Sequence, residues 1–192
     1  VSHETLEFDR FLIYVFLLPY MAQILQTGTL IITLDMVQED QAFFNALREK
    51  HFPAHANYLD AHITLFHKLP ANEERIPEVL KKFSTRSVLP IEVNKVHLMG
   101  TCVAYTLVSE ELKNLHEQMQ QALAPWLIKQ DQQPLRPHIT VQNKVTAFKA
   151  QQLHEELSQH FTPFTITTTS FSTWKYLKGP WKLLDKYPFL SQ

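Results

Sequence analysis

Two short segments of this sequence carry residues suited to proton-transfer chemistry. His62-Ile63-Thr64-Leu65 and His138-Ile139-Thr140-Val141 share one pattern, H-x-T-x in the form H-I-T followed by an apolar residue, and that tripeptide occurs once in each half of the chain. Both segments read as strands, in which successive side chains point to opposite faces. Each His therefore shares a face with the Thr two residues on, while Ile63 and Leu65, like Ile139 and Val141, turn the other way. The same parity predicts that Phe66 and Gln142, and then Lys68 and Lys144, follow on the His/Thr face. At ~3.3 Å per residue the lysines lie about 20 Å from their histidines, a distance that suits guiding a polyanion at a groove rim.

The pairing of two histidines fits phosphodiester chemistry. One imidazole, neutral, can take a proton from an attacking water or hydroxyl, while the other, protonated, gives one to the leaving oxygen. Histidine titrates near pH 6.5, so either role is open to it near neutrality. The Thr64 and Thr140 hydroxyls can donate to the non-bridging oxygens, where charge accumulates. This chemistry requires no metal and no other cofactor. A zinc site at the two histidines is disfavoured, because no Glu, Asp or Cys stands beside either one at ligand spacing.

A single H-x-T would read as structural; two copies at equivalent places in a repeated plan do not. Arg136 precedes His138 by two residues and is a further substrate-binding candidate. Pro137 interrupts the strand there, so parity does not fix its direction, and its counterpart Asp60 has the opposite charge. Tyr105, and Trp174 or Tyr176 at the equivalent place in the second half, can stack on a base or serve as core. The remaining histidines, His67 and His116 among them, read as surface or core residues.

The elements that would hold these residues follow one order twice. Residues 28–36 read as a buried β-branched strand, and 38–51 as a helix with Phe43, Phe44 and Leu47 on one face. Strand 62–69 follows, then a helix carrying Ile76, Val79, Leu80 and Phe83, then strand 89–98 into a turn at Gly100. In the second half, strand 101–108 precedes a helix capped by Ser109 with Leu112, Leu115, Met119 and Leu123 as its stripe. Strand 138–145, a helix capped by Thr146, strand 164–177, a turn at Gly179 and a strand near 181–184 complete it. This predicts an α+β protein: a duplicated, bilobal fold of two strand-helix-strand-helix-strand lobes, approximately 27–100 and 101–192. Strands are exchanged between the lobes, and a central groove lies between antiparallel sheets.

The length fits a single domain able to bury its own core. Cys102 is the lone cysteine, so no intramolecular disulfide is possible, and a reducing compartment such as the cytoplasm is expected. Net charge is −1, which offers no bulk attraction to long nucleic acid. The charge is nevertheless uneven: residues 1–127 hold 10 Lys/Arg against 15 Asp/Glu, and residues 128–192 hold 8 against 4. A basic C-terminal part favours an anionic ligand at one site.

Phe11 to Tyr20 is an apolar run of ten, short of the ~20 residues a bilayer needs. The acidic residues before it have the wrong sign for a secretory signal. Residues 1–26 therefore read as an N-terminal extension outside the core, with a docked segment as the alternative. No membrane partner is expected, and the chain reads as a monomer.

The paired motifs, and the segments LDAHITLFHKLP and LRPHITVQNKV around them, resemble the 2H phosphoesterase superfamily, closest to its bacterial 2′-5′ RNA ligase-like branch. The resemblance spans about residues 27–190. It implies a bilobal fold with both motifs facing a central groove, His62 and His138 as general base and acid, and Thr64 and Thr140 as phosphate holders. Its activities include opening 2′,3′-cyclic or 1″,2″-cyclic phosphates and cleaving or joining 2′-5′ linkages, and the implied partners are RNA ends or nucleotides. A module that binds an RNA end or a nucleotide without turnover is the alternative, though a pure binder has no need of two facing titratable groups.

Overall fold

The structure is a computed structural model that describes residues 28–190. The apolar run at 11–20 and the proposed extension lie outside them.

Among the described residues, seven strands and four α-helices follow in this order: β1 (Thr29–Met36), α1 (Gln38–His51), β2 (Ile63–Pro70), α2 (Arg75–Ser84), β3 (Leu89–Met99), β4 (Cys102–Val108), α3 (Glu110–Leu123), β5 (His138–Gln142), α4 (Ala147–Gln159), β6 (Phe164–Tyr176) and β7 (Trp181–Pro188). Ser109 and Thr146 cap their helices as expected, accepting hydrogen bonds from the Leu112 and Lys149 N–H groups at 3.2 and 3.3 Å. An isolated helix of this length is marginal in water. Burial of Leu112, Leu115, Met119 and Leu123 stabilises α3, each side chain by roughly 1.5–3 kcal/mol. Gly100 adopts φ 62° in the turn between β3 and β4, a conformation costly for a residue with a Cβ.

All strand pairs are antiparallel, in the order β2-β1-β6-β3-β4-β5, with β7 also on β6. The long β6 is the hinge of this arrangement. Its residues 164–168 pair with β3 and residues 170–176 with β7, while β1 runs along its other edge. Strands from both halves of the chain are thereby interleaved. The motif strands β2 and β5 stand at opposite ends of the order, yet they touch, because the sheet curls until its two ends meet. Helix α1 packs on β5 and β1, α4 on β3 and β4, and α2 against α3. Among the described residues, no helix is long and apolar enough to cross a membrane.

The structure corrects the expected parity of both motif strands. Thr64 pairs with Thr33 but Phe66 with Ile32, so β2 gains one residue over β1 just after the motif. In β5 the same happens: Thr140 pairs with Ala104 and Gln142 with Val103. An extra residue on one strand breaks the alternation of faces. Phe66 is therefore buried, and Gln142, 6% exposed, turns inward to donate its Nε2–H to the His51 carbonyl at 3.3 Å. β5 then ends, earlier than expected. The Asn143 side chain accepts the Lys144 N–H at 2.7 Å, and Lys144 sits at φ 60°, beyond the strand. β7 runs longer than expected, to Pro188.

Candidate active site

Both motif histidines are held in the same way. The Nδ1 of His62 lies 2.7 Å from the Asp60 carbonyl, and the Nδ1 of His138 lies 2.9 Å from the Arg136 carbonyl, in each case two residues upstream. A carbonyl only accepts, so each Nδ1 carries the hydrogen and Nε2 is left to exchange protons with a ligand. Burial pushes the His62 imidazole down to about 4. The Asp60 carbonyl opposes that fall, and the nearby charges of Arg48 and His138 add to it. His62 is accordingly neutral at pH 7, with its Nε2 lone pair free.

One cation ties β5 to the segment that leads into β2. Arg48 of α1 is 5% exposed; it donates to the Thr140 carbonyl at 2.8 Å and to the Leu59 carbonyl at 2.9 Å, and lies over the Phe52 ring. Burial draws its guanidinium below the ordinary value, and the Asp60 charge opposes this. The Thr140 hydroxyl is 3.8 Å from the Cys102 sulfur, whose thiol burial pushes up and keeps protonated. The Thr64 hydroxyl makes no hydrogen bond among the described residues.

Two cavities adjoin at the motif residues. The first, about 530 Å³, is lined by His62, Arg48, Asp35, Trp174 and Trp181. The Trp181 ring centre lies 5.0 Å from that of His62 and 6.3 Å from that of Trp174. Trp174 is fixed by donating to the Thr33 hydroxyl at 2.8 Å. Asp35 accepts from Ser170 and Ser172 at 2.6 and 2.7 Å and pairs with Lys186 at 3.2 Å. The second cavity, about 400 Å³, is lined by Thr64 and His138 together with Arg136, His67, His116 and Asp131. Among the described residues, no group of three His, Cys, Asp or Glu side chains could hold a metal ion.

The structure thus brings His62, Thr64, His138, Thr140 and Arg136 to one region. Other candidates fall elsewhere. Tyr105 pairs with Ile139, on the face opposite His138, and is 4% exposed, packed against Phe44 and Phe161; it belongs to the core. Gln142 is turned inward by the bulge, and Lys68 and Lys144 line neither cavity. Sequence reasoning missed Arg48, Trp181 and Asp35. Arg48 did leave a signal, since it stands one helical turn from Phe44 on the buried side of α1.

The lowered His62 has a consequence for stability. Between about pH 6.5 and 4 the unfolded chain binds a proton at this position that the folded chain does not. His62 therefore lowers stability as pH falls through that window, by at most about 3 kcal/mol at 1.36 kcal/mol per unit, and by less where groove water reaches the ring. Urea unfolding at pH 7 and pH 4.5 should show a smaller loss on acidification in His62→Gln than in wild type; equal losses would contradict it.

The curled sheet with an H-x-T motif at each end defines a class, the 2H phosphoesterases. The chain belongs to the 2′-5′ RNA ligase superfamily, whose family model matches residues 36–180. Among solved structures, TT0787 of Thermus thermophilus superposes with a TM-score of 0.59 at 14% identity, covering 85% of this chain and 99% of that one. E. coli LigT in complex with 3′-AMP gives 0.54 at 16% identity, with 85% and 99% covered. These likenesses speak for the fold. No curated protein matches the chain in sequence.

Proposed function

We propose that this protein is a metal-independent phosphoesterase acting on cyclic or 2′-5′ phosphodiester linkages in RNA or nucleotides. The observation that carries this reading is the matched pair of histidines, each with Nδ1 donating to a carbonyl two residues upstream and Nε2 available. His62, neutral at pH 7, takes a proton from the attacking water or hydroxyl as its oxygen bonds to phosphorus. His138, as imidazolium, delivers its proton to the ribose oxygen as the P–O bond breaks. Thr64 and Thr140 donate to the non-bridging oxygens, and the buried Arg48 charge adds positive potential at the same place. Run backwards, the same two proton transfers join a 2′-5′ linkage.

Trp174 and Trp181, beside His62, form a surface on which a base can stack. Solved complexes of E. coli LigT with 3′-AMP and with phosphate, on the same fold, fit a nucleotide substrate. The test is a panel of the four 2′,3′-cyclic nucleoside monophosphates and 2′-5′-linked dinucleotides, assayed with EDTA present. Turnover of at least one substrate that survives chelation is expected. Binding of these nucleotides with no turnover of any would favour the non-catalytic module, and activity abolished by EDTA would overturn the metal-free reading.

A further inference from the structure

We propose that the second cavity binds a second phosphate of the substrate, across the reacting phosphodiester from the stacked base. This inference rests on the phosphodiesterase reading and specifies its substrate class: a chain of at least two nucleotides, or a nucleotide carrying a further phosphate on that side.

The cavity is built around a buried carboxylate whose bonding is complete. Asp131 is 3% exposed, and its oxygens receive the His67 N–H, the Lys68 N–H and the His67 ring, all at 2.9–3.0 Å. Burial alone would raise its carboxyl, but these hydrogen bonds outweigh that and hold it below the ordinary range. Asp131 is thus a fixed anion that orients the His67 ring, with Nδ1–H directed to the carboxylate and Nε2 free. An imidazole between a carboxylate and an incoming phosphate binds as imidazolium, and Nε2–H then donates to a phosphate oxygen.

Two further groups point to an anionic, oxygen-rich ligand. Arg136 lines the same cavity and has no acidic partner among the described residues. His116 stacks on Phe66, and its Nε2–H donates to the Leu65 carbonyl at 3.1 Å. Its Nδ1 is therefore an acceptor, buried and without a partner. A ribose hydroxyl or a protonated phosphate oxygen satisfies it, whereas a dry apolar ligand leaves it orphaned. Thr64 and His138 also line this cavity, so it adjoins the reacting centre. His67 stands three residues beyond Thr64, within about 10 Å along the strand. A ribose linking two phosphates, with the reach of the side chains, fits that span.

Titration of the protein with inorganic phosphate at constant pH and ionic strength, followed through the imidazole NMR resonances, tests the site without turnover. The His67 resonances are expected to shift and saturate, and Arg136→Ala, at an exposed position that folding tolerates, should weaken this response about tenfold, the worth of one charge-assisted hydrogen bond. In parallel, a 2′-5′-linked dinucleotide bearing a phosphate on its second ribose should show a KM about tenfold below that of the same dinucleotide without it. That ratio should fall towards one in Arg136→Ala and in His67→Gln. Resonances of His67 unmoved up to about 100 mM phosphate, far above the ~1 mM of a weak site, or a KM ratio near one in wild type, would overturn the proposal. Shifts at His67 with no turnover of either dinucleotide or of any 2′,3′-cyclic nucleotide would uphold the phosphate site and defeat the phosphodiesterase reading instead.

Discussion

His62→Ala and His138→Ala should each fold as wild type does and lose phosphodiesterase activity by about 10²–10⁴-fold, the usual cost of removing one proton-transfer group. Neither ring is a core residue, and each makes one hydrogen bond, to a carbonyl that water can reach after truncation. In His62→Ala, loss of a neutral ring with a depressed titration removes a burden on the folded state at acid pH, so stability at low pH should not decrease. The double variant should be little slower than the worse single one, because acid and base act in one transition state. Circular dichroism and urea unfolding separate this outcome from misfolding. A single variant that unfolds would return its histidine to a structural role.

Arg48→Met should destabilise the fold by about 2–4 kcal/mol and raise the titration of His62. Two carbonyls, of Thr140 and Leu59, lose their donor inside the protein, each at about 1–3 kcal/mol. Methionine preserves the stem packed in α1, so the loss is chiefly polar. The Arg48 charge lowers His62, so its removal lets the imidazole protonate at higher pH. NMR titration of His62 reads that shift directly. A fold as stable as wild type with His62 unmoved would show that Arg48 neither joins β5 to the segment before β2 nor sets the potential at His62.

Much of this was legible in the sequence because it follows local periodicity. The helix over 38–51, the caps at Ser109 and Thr146, and the turn at Gly100 all depend on neighbours a few residues apart. His62 with Thr64, and His138 with Thr140, also share a face for a local reason. Parity failed one step later, at Phe66 and Gln142, since a bulge is a property of the strand pair and not of either strand alone. Lys68 and Lys144 were misplaced for the same reason. Tyr105 followed from register: its pairing with Ile139 puts it on the core face, and only the partner strand shows that.

The contacts that complete the site are long-range in sequence. Arg48 reaches Thr140, Asp131 reaches His67, and Trp174 reaches Thr33, each across more than sixty positions. Nothing in the types of these residues announces such meetings. Asp131 lies in a loop between α3 and β5 and reads as an ordinary surface carboxylate until the fold buries it.

The pH dependence of kcat/KM, measured for wild type and for each histidine variant on whichever cyclic or 2′-5′ substrate turns over, tests the two-histidine claim most directly. The profile reports the acid and base of the free enzyme. A bell is expected whose acid limb falls near pH 4, where His62 protonates, well below the ordinary histidine range. That limb should vanish from the residual activity of His62→Ala and persist in His138→Ala. An acid limb that stays in place after His62 is removed would contradict the account.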